Sequence, residues 1–240
     1  MLLTSYYYED TKKEKSWYQS SNVFYSEFIE DENENYGDLI VTFNNGSTYK
    51  YKKVLLTPDY VMFKHGGLEG SHGKALNKHI KPKYEFEKLN NQNIDDLIKE
   101  KENIITLKKQ EQKNNTYFIS GHRDITEDEF EKYKEQLKKI TDSNNKALFV
   151  VGDYNGVDIM AQNYLIDVLN IETNRITVYH MSENPMNINP KIENTVGGFT
   201  TDEERDCAMT MNSEHDVAFV RTNLTLSGTA QNILRRKLLK

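Results

Sequence analysis

The 240-residue sequence has one cysteine, Cys207. A lone thiol excludes an intramolecular disulfide and any cysteine-rich zinc site. No run approaches the roughly 18 apolar residues that a membrane-spanning helix needs. The opening stretch, Met1 to Asp10, lacks both a basic region and a sustained apolar core, so no secretory leader is expected. The expectation is a cytosolic protein with no membrane partner. Positive charge is also in short supply. A net charge of −6 argues against non-specific nucleic-acid binding by the whole molecule, while local basic patches stay open. Hydrophobic residues make up 37% and charged residues 28%, which reads as globular but polar and long enough for two modest domains.

What is present divides into two parts. Residues 1–20 mix tyrosines with charges without a period and read as a loosely held arm. Residues 21–86 predict a small α+β unit. In it Leu39, Val41 and Phe43 share one face of a strand, Asn45-Gly46 signals a type I′ hairpin, and Tyr49 and Tyr51 share a face of the next strand. Residues 87–115 are almost wholly polar and predict a partly helical linker. From Thr116 strands alternate with helices. "TYFIS", "KALFVV", "RITVYH" and "HDVAFV" are the strands, and a long loop separates Met181 from Phe199. Phe130, Tyr133, Leu137 and Ile140 make one helix stripe; Val157, Met160, Ala161, Tyr164, Leu165, Val168 and Leu169 make another. Thr126/Glu129 and Thr200/Glu203 predict capping boxes. This alternation predicts an α/β domain over 116–240 with a doubly wound parallel sheet.

Three strand-to-helix junctions carry the candidate site: "SGHRD" at 120–124, "GDYNG" at 152–156 and "TLSGT" at 225–229. In a parallel sheet all three emerge at the carboxyl edge, where open α/β sheets bind ligands. Glycines permit close backbone approach, and helix N-terminal amides favour anions. The expected contacts are Ser120, Gly121, His122, Arg123, Gly152, Asp153, Asn155, Gly156, Asp158, Ser227, Gly228 and Thr229, with Arg205 reaching in from a later helix. Each turn by itself reads equally as a tight turn and nothing more.

The series "YFISGHRDIT", "ALFVVGDYNGVDIMAQNYL", "EERDCAMTMNSEHDVAFV" and "SGTAQNILRRK" resembles the SLOG superfamily, named for Smf/DprA and LOG proteins, and in particular its YpsA and YspA branches. The matching positions are Gly121 and Arg123, Gly156 and Asp158, Arg205 through Met209, and Gly228-Thr229. The resemblance covers about half the chain. It implies a Rossmann-like fold that binds nucleotides or nucleotide-derived signals without a further cofactor, in a protein that often pairs with itself. LOG phosphoribohydrolases follow the Gly-Thr pair with a catalytic glutamate, whereas this chain has Asn232 there, beside Gln231. An amide cannot act as that carboxylate does, so the resemblance favours binding over hydrolysis. "SNVFYSEFIE", "LIVTFNNGSTYKYKKV" and "SHGKALNKHIKPKY" resemble a KTSC domain, whose Tyr-x-Tyr is Tyr49-Lys50-Tyr51 here. That family's role is unsettled, with RNA binding suggested.

Individual residues keep two readings. Tyr49 and Tyr51, with Lys50, could stack RNA bases or meet a protein partner; packing under the following helices is the ordinary alternative. His122 suits a general acid or base, or a phosphate contact. Asp153 could orient a ribose or serve as a base. Asp158 is either a ribose contact or a carboxylate favoured by the helix dipole. His65, His72 and His79 recur at intervals of seven, but no carboxylate or cysteine pattern accompanies them, so no metal is expected. The resulting expectation is a nucleotide-sensing or sequestering protein, for instance in bacterial defence or a phage's answer to it. The alternatives are an N-glycosidic hydrolase using Asp153, Asp158 or His122, and an RNA binder using the tyrosine face.

Overall fold

The computed structural model describes every residue except Asn33, Glu69, 222–226 and 239–240. The chain divides into two compact units, Met1–Lys108 and Lys109–Lys240. Thr225 and Leu226 of the third expected turn, and the end of "RRKLLK", lie outside the described residues.

The first unit is a six-stranded antiparallel meander: β1 (Leu2–Tyr8), β2 (Lys13–Tyr18), β3 (Val23–Glu30), β4 (Tyr36–Phe43), β5 (Thr48–Leu55) and β6 (Phe86–Leu89), paired in chain order. Side chains alternate across a strand, so the adjacent Trp17 and Tyr18 enter different cores. Tyr18 joins Val23, Phe28, Leu39, Val41 and Tyr51 beneath the short helices α1 (Val61–Lys64) and α2 (His72–Ala75). Trp17 and Tyr25 face Leu97 and Ile104 of helix α3 (Ile94–Asn114). The Trp17 indole donates to the Leu97 carbonyl at 3.0 Å, which satisfies its one polar atom inside an apolar contact.

Two expectations are thereby corrected. Residues 1–20 are not a loose arm: they supply β1 and β2, and Trp17 is wholly buried. Residues 87–115 are not merely a linker, because β6 extends the sheet and two apolar positions of α3 pack on it. The β4–β5 turn also differs from the type I′ form. Gly46 takes φ +81° while Asn45 does not turn left-handed, and the Gly46 amide donates to the Phe43 carbonyl at 2.9 Å. That is a longer hairpin loop with glycine at the bulge position.

The second unit is α/β with a parallel five-stranded sheet. Its elements are β7 (Thr116–Ser120), α4 (Glu127–Ser143), β8 (Leu148–Val151), α5 (Val157–Asn163, continuing through Tyr164–Val168), β9 (Ile176–Met181), β10 (Thr195–Phe199), α6 (Asp202–Met211), β11 (His215–Ala218) and α7 (Gly228–Leu238). The strand order is β10-β9-β8-β7-β11. Ile119, Val151, Val178 and Val217 pack under α4 and α5, and their neighbours Phe118, Val150 and Tyr179 meet Met209 of α6 on the opposite face. Both faces are covered, and the central strands β7, β8 and β9 are largely buried, as a parallel sheet requires. The order reverses at β7, which has β8 on one side and β11 on the other. The crevice for a ligand opens at such a reversal, outside the carboxyl ends.

The α4 stripe and its Thr126–Glu129 capping box are present as expected. In α5 Val168 is instead 60% exposed. The α6 cap shifts by one residue: Thr201 accepts from the Glu204 amide at 3.1 Å, and Glu204 accepts from the Thr200 amide at 3.0 Å. β10 falls within the expected long loop. Its glycines hid it, yet one is required, since a Cβ on Gly197 would lie 2.1 Å from the His180 ring.

Candidate functional site

The first two turns are held together by contacts that only glycine permits. After β7, a Cβ on Gly121 would lie 2.2 Å from Val157 Cγ2. After β8, Gly156 takes φ +78°, and its Cβ would fall 2.4 Å from the His122 carbonyl. That carbonyl accepts the Val157 amide at 3.2 Å, so the first turn seats directly on the start of α5. Between these turns and the ends of α6 and α7 lies a cavity of about 280 Å³. Ser120 through Arg123 contribute from the first turn, Gly152, Tyr154, Asn155 and Asp158 from the second, and Gly228 and Thr229 from the third. Arg205 and Asp206 of α6 complete one wall, with Asn232 of α7 beside them.

Electrostatics within the cavity are mixed. Asp202 accepts the Tyr154 hydroxyl at 2.7 Å and pairs with Arg123 at 3.2 Å. Arg123 lays its guanidinium over the Tyr154 ring, 3.5 Å from the centroid, and Arg205 lies 4.6 Å from the same centroid. The two arginines are not equivalent. Arg205 is 5% exposed and is held by Asp206 at 2.9 Å and Asp153 at 3.5 Å, so its charge is spent inside the protein. Arg123 has an exposed ion pair, which is worth roughly 0–1 kcal/mol. A ligand anion could therefore take it from Asp202 at small cost.

Asp158 sits at the base of the second turn and accepts the Tyr154 amide at 3.1 Å. Burial pushes its carboxyl up to about 7 against that hydrogen bond and the pull of Arg205. Two polar atoms of lining residues, Ser120 Oγ and His122 Nε2, are buried with no hydrogen-bond partner among the described residues. Unsatisfied buried polar atoms are uncommon and call for an explanation; a bound polar ligand would supply one.

Of the expected contacts, Asp153, Gly156 and Ser227 are not part of the lining, which corrects those assignments. Asp153 is wholly buried, and its carboxylate accepts the Met186 amide at 2.7 Å while its carbonyl accepts Asn187 at 3.0 Å. It anchors the stretch between β9 and β10 and is not placed to act as a base on a ligand. Gly156 is needed for backbone packing, and Ser227 caps α7 by accepting from the Ala230 amide at 3.2 Å. Tyr154 and Asp202 are lining residues outside the expected contacts. Tyr154 stands inside the quoted glycine turn, so its position was a usable signal; Asp202 lies 48 residues away and gave none.

In the first unit, Tyr51 is 2% exposed and Tyr49 half-buried. Lys50 does not join them. Strand alternation puts it on the other face, where it pairs with Asp38 at 2.8 Å. His72 stacks near Tyr18, with centroids 4.3 Å apart, and bonds the Lys64 carbonyl at 3.2 Å, which is a packing role. No helix among the described residues is long and apolar enough to cross a membrane. No protein-family model matches the chain, and no curated protein matches it in sequence.

Proposed function

We propose that the second unit binds a nucleotide or nucleotide-derived signal in the cavity at the carboxyl edge of β7 and β8, as a SLOG-like domain would. The observation that carries this reading is the convergence of residues from three separate strand-to-helix turns on one cavity, the first two turns packed together through Gly121 and Gly156. Arg123 is the cation free to meet a phosphate. Ser120 and His122 offer the hydrogen-bonding atoms left unpaired, and Asp206 and Asp158 suit ribose hydroxyls. Binding is favoured over LOG-type hydrolysis because Asn232, where those enzymes carry glutamate, donates its amide to Asp206 at 2.9 Å. The protein would then sense or sequester its ligand, a role suited to defence signalling or its suppression.

A second reading, hydrolysis of an N-glycosidic bond, draws support from Asp158 alone. A carboxyl held near 7 inside a cavity can exchange a proton near neutral pH. The expected RNA surface of a KTSC-like first unit draws less, since Lys50 lies apart from the tyrosines. Calorimetry with a panel of nucleotides, followed by chromatography for released base, separates binding from turnover. Arg123→Ala should weaken phosphate-bearing ligands by roughly 1.5–3 kcal/mol while leaving nucleosides unchanged. Equal affinity for both proteins would remove the phosphate role of Arg123.

A further inference from the structure

A second cavity lies in the first unit, apart from the proposed nucleotide site. It measures about 660 Å³, within the range of small-molecule sites. Phe43, Tyr49, Tyr51 and Phe86 form its aromatic wall, and amides and hydroxyls such as Asn22, Asn45 and Ser47 form its rim. The rings meet edge to face: Phe43 and Tyr49 at 87°, Tyr49 and Phe86 at 65°. Phe86 stays 58% exposed at the edge of the sheet. Tyr51, although 2% exposed, lines the cavity.

Charge narrows the occupant. Of the lining residues only Lys81 is charged, and its ammonium sits 5.6 Å from the Phe43 ring centroid without a carboxylate partner among the described residues. In β6, Lys88 shares the face of Phe86, opposite Tyr49, while Glu87 turns to the other face and meets Lys52 at 3.5 Å. The one carboxylate of β6 beside Phe86 and Lys88 is thus turned away from the aromatic face, to the reverse side that also carries Lys50 and Lys52. Ring faces, a rim of hydrogen-bonding groups and two cations match a planar heteroaromatic ring carrying an anionic group. A nucleic-acid strand would need a longer basic track, which a chain of net charge −6 with two cations on this face does not offer.

We propose that this aromatic cavity is a separate small-ligand site for a mononucleotide, its base stacked on Tyr49 and Phe86 and its phosphate met by Lys81 and Lys88. The site is independent of the second unit's cavity, and its test must read position as well as affinity. The full chain would be irradiated with 5-iodouridine monophosphate and the adducts mapped by peptide mass spectrometry. Adducts on the peptides of Tyr49 or Phe86 are expected, with protection by excess AMP and about tenfold poorer protection by adenosine. The double substitution Lys81→Glu, Lys88→Glu alters exposed residues only and should abolish that protection; Tyr51→Phe should weaken it several-fold with thermal stability kept. Adducts confined to the second unit would overturn the proposal, as would equal protection by nucleoside and nucleotide. Protection by oligouridylates that strengthens with length would also overturn it, in favour of a strand-binding surface. Loss of nucleotide binding in Arg123→Ala with these adducts retained would separate the two sites.

Discussion

Replacing Asp158 with asparagine isolates the cost of holding a carboxylate at the base of the cavity. The side chain keeps its shape and can still accept the Tyr154 amide, so packing changes little. What changes is ionisation. Burial raises the folded-state value from 3.8 to about 7, so between those values the unfolded chain releases a proton that the folded chain retains. Stability from this group is therefore fully present below about pH 4. It falls as pH rises through the window and levels off above about 7. The whole gap corresponds to roughly 4 kcal/mol, and the part between pH 5 and pH 8 to roughly 3 kcal/mol. Urea unfolding of both proteins at the two pH values measures it. Trp17, the single tryptophan, lies in the first unit, so the transition seen by circular dichroism but not by tryptophan fluorescence belongs to the second. The advantage of Asp158→Asn over the parent should grow by about that amount from pH 5 to pH 8. A difference that stays flat would mean that Arg205 keeps Asp158 ionised throughout, and the second, hydrolytic reading would lose its only support.

Gly156→Ala should destabilise the second unit by roughly 1–3 kcal/mol, since φ +78° is strained for alanine and the new methyl would meet the His122 carbonyl. The same change should lower ligand affinity by moving two turns apart, and unchanged unfolding would show that the turns are not packed on each other. Leu97→Ala should cost the first unit roughly 2–5 kcal/mol, because Leu97 is 8% exposed against Trp17 and Tyr25. A red shift of Trp17 emission in the folded protein would accompany it, and a neutral result would return α3 to the status of a linker.

The parts of the fold that could be read from sequence are those set by local periodicity. Phe130, Tyr133, Leu137 and Ile140 recur at helical spacing and are buried, and the apolar strands of the second unit follow from their composition. β1 and β2 escaped because burial there does not follow the letters: the adjacent Ser16, Trp17 and Tyr18 are all buried. Tyr6, Tyr7 and Tyr8 alternate in environment rather than in polarity, so the two-residue period is absent from the letters. β10 escaped for the opposite reason: its adjacent glycines signal a turn, while the parallel pairing with β9 is decided by the His180 ring that fills the space beside Gly197.

The same division runs through the site. The three turns could be located because topology carries the carboxyl ends of parallel strands to one edge, whatever the intervening helices contain. Which side chains remain available there depends on pairings between distant segments. Asp153 and Met186 are 33 residues apart, and their contact turns a conspicuous acid in a glycine turn into an anchor. Arg205 and Asp153 are 52 residues apart, and their contact withdraws the more buried of the two arginines from ligand binding. The cavity consequently presents three carboxylates and one releasable guanidinium, a poorer anion trap than the turns alone suggest. Affinity there must come from ribose and base contacts as much as from phosphate. On that argument nucleosides should retain a measurable share of the binding, and Arg123 should set selectivity among phosphorylated ligands more than it sets affinity overall.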